Sequence, residues 1–233
     1  MDRKDMEAQV EDRCDNYAML SRLYRCEVDA ELLEDLIGSP VIDRTGNSRF
    51  DEGYAMVRSF LEGPGSVEEK KSELAIDYCL TFLGYGIAPD KADATGMNAA
   101  YPYESCYRTG SKTLGGDQCA DVSAAYRALA FAPTRERIVA EDHIACELEF
   151  MQFLACSELT DVRVGDEASV RQVREAALSF VREHLLSWTE AFEQMIGDFF
   201  GTTFYQGLAK MTCGWLEIDL AYLELATSSK EGD

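Results

Sequence analysis

A chain of 233 residues can bury a sizeable core, and 46% apolar residues place it among globular proteins despite 28% charged residues. Acidic residues outnumber basic ones 43 to 22, giving a net charge of −21 and an isoelectric point near 4.4. That balance repels nucleic-acid phosphates and anionic lipid, and favours cationic partners or simple dispersal in solution.

The opening MDRKDMEAQVEDRCDNY lacks the apolar centre and the twin arginines of an export leader, and no uncharged run reaches membrane-spanning length. Eight cysteines (14, 26, 79, 106, 119, 146, 156 and 213) form no CxxC pair and no Cys/His cluster with metal-site spacing. The expectation is a cytoplasmic protein without a metal or other cofactor, its thiols serving as small core residues.

In chain order, Ala18, Leu20, Leu23 and Tyr24 open an N-terminal helix, and EVDAELLEDLIG predicts a short one ending at Gly38. GPGS at 63–66 breaks the pattern. Ser66 with Glu69 is a capping box that starts a helix striped by Leu74, Tyr78 and Phe82 and stopped by Gly84 and Gly86. From 87 to about 117 the periodicity lapses into a long loop whose centre, YPYESCY, is aromatic enough to be ordered. A helix follows at 118–130, then a break around Pro133, then EDHIACELEFM. TDVRVGDEAS reads as a polar linker. The segment 168–196 is one long helix or two meeting near His184, and the last helix carries a stripe of Phe204, Leu208, Met211, Trp215, Ile218, Tyr222 and Leu225. With no alternating strand, no phosphate loop and no repeat, the fold class is all-α: a single helical domain over 1–233 of about eight to ten helices, hinged near 131–140.

EDHIACELEFM holds one of only two histidines among acids. On a helix, Ile144, Leu148, Met151 and Ala155 share the core face, while Glu141, Ala145, Glu149 and Gln152 share a face expected to be wet. Asp142 and His143 sit at the helix start, where the free amides favour a carboxylate cap. Three readings stay open. The polar groups could simply cap and flank the helix. A small all-helical enzyme could use His143 and Glu147 as an acid–base pair, although no nucleophile stands in a recognisable setting. Or the carboxylates could bind a cationic peptide above an aromatic groove.

Five segments, this one included, bear on the choice: YCLTFLG at 78–84, YPYESCYRTG at 101–110, EDHIACELEFMQFLA from Glu141, FVREHLLSWTEAF at 180–192 and FYQGLAKMT from Phe204. Together with the N-terminal YAMLSRLYRCEVDAELLEDL, they resemble, in order and over nearly the whole chain, the TorD/DmsD/NarJ-like chaperones of twin-arginine-exported molybdoenzymes. The chain departs from the family's Glu-Pro-x-Asp-His motif at Val139-Ala140, which removes a rigid turn before Asp142 and weakens a hinge role there.

The resemblance implies a chaperone without a reaction of its own. It would bind the twin-arginine leader and the apo catalytic subunit of a molybdoenzyme, hold back export and assist insertion of the molybdopterin cofactor. It would be a monomer or a dimer with exchanged helices, hinged at 131–140 and 160–168, and would neither bind nucleic acid nor insert in a membrane. A guanine nucleotide is associated with relatives, but no phosphate loop supports it here. The leader-binding residues are then expected to be Asp142, His143, Glu147, Glu104, Ser105, Tyr101, Tyr103, Tyr107, Tyr78 and Phe82. Asp142 or Glu104 would receive guanidinium groups, and the aromatic side chains would offer an apolar wall.

Overall fold

The computed structural model describes residues 3–85, 99–108, 114–136, 138–198 and 202–228. Their helices in chain order are α1 (Arg3–Arg25), α2 (Ala30–Gly38), α3 (Ser48–Glu62), α4 (Val67–Leu83), α5 (Ser105–Arg108), α6 (Asp117–Ala128), α7 (Ile144–Val164), α8 (Glu167–Glu183), α9 (Thr189–Asp198) and α10 (Thr203–Ser228). A 3-10 turn, Leu185–Ser187, separates α8 from α9. No strand occurs among the described residues, so the architecture is all-α as expected.

Local chemistry sets the helix starts. Asp29 and Asn47 accept amides at the heads of α2 and α3, and the Ser66–Glu69 capping box forms in full at α4. Gly84 ends α4 in the left-handed conformation, while Gly86 lies outside the described residues. Helix α3 was not foreseen, although Asn47 followed by Phe50, Val57 and Leu61 carries both a cap and a buried stripe. The expected linker at 160–168 is mostly helix. Leu159 and Val162 continue the buried face of α7, and the turn is only Gly165, at φ 79°, and Asp166, which caps α8. The segment 168–196 proves to be two helices, parted at His184.

The chain groups into two compact units, each made of three or fewer separate stretches: residues 1–25, 115–187 and 216–233 in the first, residues 26–114 and 188–215 in the second.

In the first unit, α1 and α7 pack along their lengths and α8 lies on α7. Tyr126, Phe150 and Phe180 form an aromatic centre, with Phe131 packed against Tyr126, Phe150 and Phe153. A buried ionic network joins four helices, α1, α7, α8 and α10. The Arg13 guanidinium donates to Glu158 and, at 2.5 and 3.2 Å, to both oxygens of Asp219. Asp219 also accepts from the Tyr17 hydroxyl at 2.7 Å, and Glu158 accepts from Tyr222 at 2.7 Å and Arg174 at 2.5 Å. Burial by itself would drive Arg13 toward neutrality, but Asp219 and Glu158 outweigh it and its pKa is raised.

Asp219 also explains why the expected stripe of α10 fails in its second half. Leu216, Asp219 and Leu223 are the buried positions there, and Leu225 is 72% exposed. The face is set by the ionic partner as well as by apolar spacing.

In the second unit, α3 and α10 meet backbone to backbone. A Cβ on Gly207 would stand 2.6 Å from the Gly53 carbonyl oxygen, and one on Gly53 would stand 2.5 Å from the Met211 nitrogen. Lys70, buried beneath the end of α3, donates to the carbonyls of Phe60 and Gly63 at 2.8 Å and of Pro64 at 3.1 Å, closing the helix terminus. Asp77 accepts from the amide and hydroxyl of Thr202 at 2.7 and 2.6 Å.

Two stability predictions result. Arg13→Met removes the cation from buried Asp219, while Glu158 keeps Arg174, and should lower unfolding free energy by about 3–5 kcal/mol, read from the urea midpoint. Gly207→Ala should cost about 1–3 kcal/mol by forcing α3 and α10 apart, whereas Gly38→Ala, with open space around it, should be nearly neutral in the same assay.

Candidate functional site

The start of α7 is built from the first unit's own groups. His143, not Asp142, is the N-cap: its Nδ1 accepts the Ala145 amide at 3.0 Å, and its carbonyl accepts from Cys146 at 2.8 Å and Glu147 at 3.1 Å. An imidazole nitrogen thus takes the place that the residue preferences assign to a carboxylate. Around it, Arg25 donates to the Ala145 carbonyl at 3.1 Å, to Glu149 at 2.9 Å and to the Thr134 carbonyl. Ser21 donates to the Ala145 carbonyl at 2.7 Å. Glu149 also accepts the Thr134 amide and hydroxyl at 2.9 and 2.7 Å, and Glu141 accepts from Ser123 and Arg135.

This packing corrects the expectation of a wet face on α7. The face of α7 that should have been wet is occupied by Arg25, Ser21 and Thr134, and Ala145 is buried. The break near 131–140 is tied down at Thr134 by Glu149 and at Phe131 by its aromatic neighbours. Over residues 144–155 nearly the whole circumference of α7 is therefore interior, and an exposed face opens only from Cys156 onward.

Burial, aided by the Arg25 charge, lowers the His143 pKa to about 3, so the imidazole is neutral across the physiological range. With Nδ1 committed to a backbone amide and Glu147 itself buried, the geometry does not suit an acid–base pair that needs solvent or substrate access. His184 packs its ring on Phe180 at 4.7 Å. Among the described residues, no group of three His, Cys, Asp or Glu side chains converges to hold a metal ion.

The second unit holds the other expected residues. The loop carrying Tyr101, Tyr103, Glu104 and Ser105 is tethered to α4 by the Ala100 amide on the Thr81 carbonyl at 2.8 Å, and runs into the single turn α5. Tyr107 stacks on Trp188 at 5.4 Å and meets Phe192 edge-on at 5.8 Å. Phe82 meets Tyr78 and Tyr205, each at 5.2 Å. The structure thus brings Tyr78, Phe82 and Tyr107 into one aromatic cluster, but Tyr78 and Phe82 are interior members of it, and burial raises the Tyr78 hydroxyl pKa. Glu104 is buried and accepts from Arg108, a guanidinium of its own chain whose side chain stays about one-third exposed. Asp142, His143 and Glu147 belong to the first unit, and the residues from 78 to 107 to the second.

Sequence reading missed the Arg13 network and the Arg25–Glu149 pair. A signal existed for the first: Arg13 stands on the same helical stripe as Val10 and Tyr17, where a charge implies a buried partner. It also missed an open depression of about 1060 Å³ along α3, lined by Val41, Ile42, Tyr54 and Arg58 among others.

The chain is a helical protein with buried carboxylates at the start of α7 and an arginine-occupied glutamate at Glu104. Its relatives narrow the class. Residues 47–194 match the family model described as nitrate reductase delta subunit. The chain is 28% identical over 225 residues to the chaperone protein TorD of Aliivibrio salmonicida and 30% identical over 227 residues to that of Aliivibrio fischeri. Each match covers 94% of this chain and 98% of the relative. A Shewanella TorD is 27% identical over 219 residues, covering 90% of this chain and 93% of the relative. The chain belongs to this TorD-like chaperone family.

The buried imidazole makes stability depend on acid. Its folded pKa lies below the unfolded value of about 6.5, so the unfolded chain takes the proton first. The stabilisation is complete above about pH 6.5 and is lost as pH falls from there toward 3. His143→Asn, which can still cap α7, should flatten the fall in urea midpoint between pH 6.5 and 4.5 relative to wild type. An equal fall in both proteins would assign the acid sensitivity elsewhere.

Proposed function

We propose that this chain is a cytoplasmic chaperone that binds the twin-arginine leader and apo catalytic subunit of a molybdenum-dependent redox enzyme, preventing premature export while the cofactor is inserted. The two units act as one TorD-like domain. The reading rests first on the likeness to TorD chaperones along 94% of the chain. The chemistry agrees with it: a surface of charge −21 attracts a basic segment, and Glu104 already holds a guanidinium.

In this role Glu104 and Asp142 accept leader arginines, with Ser105 beside Glu104 in the second unit and His143 and Glu147 near Asp142 in the first. Tyr101, Tyr103, Tyr107, Tyr78 and Phe82 serve the apolar stretch that follows the arginines. Because Glu104 and Asp142 are fully buried, a leader arginine reaches them only when the local packing opens, and at Glu104 it must also displace Arg108. The ligand's contacts therefore replace contacts that the free protein makes with itself.

Calorimetry with a synthetic twin-arginine leader tests the assignment. Binding should be about 10–100-fold weaker for a twin-lysine peptide and for Glu104→Gln, the range expected when a charged hydrogen bond is lost. It should also weaken as salt is raised. Arg108→Ala should tighten binding, because the competing guanidinium is gone. Equal affinity for both peptides, with Glu104→Gln and a folded Asp142→Ala/His143→Ala variant binding like wild type, would overturn the site.

A further inference from the structure

Where α1 and α7 pack in the first unit, they place two thiols side by side. Cys14 belongs to the buried cluster of Val10, Ala155 and Leu159, and Cys156, the next residue along α7 after Ala155, is exposed. The shared packing of Cys14 and Ala155 places the Cys14 thiol beside the next residue of α7, Cys156. Both cysteines are free thiols. Their exposures are opposite, and that asymmetry gives each a different chemical position.

We propose that Cys14 and Cys156 form a reversible dithiol–disulfide site that responds to peroxide, with Cys156 as the attacking thiol and Cys14 as the resolving thiol. In the first step the Cys156 thiolate attacks one oxygen of hydrogen peroxide. The O–O bond breaks, Cys156 becomes a sulfenic acid, and the departing hydroxide takes up a proton to leave as water. In the second step the Cys14 sulfur attacks the Cys156 sulfur. The S–S bond forms, the S–O bond breaks, and the hydroxyl departs with the Cys14 proton as a second water. Two thiols lose two electrons and one peroxide gains them. A small thiol reductant reverses the change through a mixed disulfide at the exposed sulfur.

The assignment of roles follows from exposure. Burial, and then the neighbouring Cys156, push the Cys14 pKa up to about 12, so Cys14 stays protonated and sealed from solvent oxidant. Its proximity to Cys156 makes the second step intramolecular, which offsets its low thiolate fraction. That low fraction still leaves the sulfenic acid a measurable lifetime. The resulting bridge ties α1 to α7 beside the ionic contact between Arg13 and Glu158, so it fixes a helix pair that is already in register.

The test uses the full chain, treated with hydrogen peroxide, blocked with a maleimide and cut with trypsin and a glutamate-specific protease. These enzymes release Cys14 in a fragment ending at Arg22 and Cys156 in one running from Phe150 to Glu158, apart from Cys146. The expected product is these two fragments joined, two hydrogens lighter than their sum. It should be lost on dithiothreitol treatment and absent from Cys14→Ser and Cys156→Ser. In Cys14→Ser, a dimedone adduct on Cys156 should accumulate severalfold above wild type, because no resolving thiol remains. If the wild type instead carries Cys156 forward to sulfinic acid, or links it only between molecules, the pair is packing and the proposal fails. It fails equally if dimedone labels Cys156 to the same extent in Cys14→Ser and wild type.

Discussion

The placement of Arg13 is the constraint on which much of the first unit depends. A guanidinium that is 2% exposed is tolerable only where carboxylates neutralise it and accept its donors, and Glu158 and Asp219 do so from two different helices. Sliding α1 by one residue would leave Arg13 and Asp219 buried and unmatched, with Glu158 still held by Arg174. The register so imposed runs along the helix: Tyr17 reaches Asp219, Ser21 reaches the Ala145 carbonyl, and Arg25 reaches Glu149. The position of the α7 start, with His143 and Asp142, therefore follows from an ion pair on the far side of Cys14. Hydrophobic burial supplies most of the stabilisation here, but it is indifferent to a shift that swaps one leucine for another, and the charges are not.

The same distinction explains what could be read in the sequence. Periodic apolar residues and caps announced α2, α4, α6, α8 and α10, and the Ser66–Glu69 box was legible to the residue. What escaped was any face defined by polar partners. Glu149 and Gln152 mark a wet surface on a helical wheel, yet Arg25 and Thr134 lie against that side of α7. Ile218 and Leu225 fit the spacing of α10, yet Asp219 turns the helix so that Leu216 and Leu223 are interior. Thr160 and Asp161 look like the opening of a linker, but Leu159 and Val162 hold them in helix. The residues proposed to bind a leader were chosen by type and by family likeness, and their burial could not be read from either. Tyr78 and Phe82 complete an aromatic cluster with Tyr205 and Phe192, and that contact pairs residues more than a hundred positions apart.

The charge balance divides recognition into two physical parts. Many of the basic side chains are already engaged within the fold: Arg13 and Arg174 on Glu158, Arg25 on Glu149, Arg49 on Glu193, Arg108 on Glu104. Each such pair cancels locally, and the field felt at a distance is that of the excess carboxylates. That field draws in any cation, lysine as readily as arginine, and fades within about 10 Å at 0.1 M salt. In the proposed role it raises the rate of encounter with a leader but cannot tell one basic residue from another. Discrimination requires a carboxylate taken out of water and held where a planar, weakly hydrated guanidinium fits better than an ammonium. Glu104 has that character, since it is fully buried and already accepts a guanidinium from Arg108. In the proposed role, exchange of one arginine for another costs little in desolvation, because the buried carboxylate has a cationic partner both before and after. A lysine brings a more strongly hydrated charge to the same exchange, and its desolvation is not repaid.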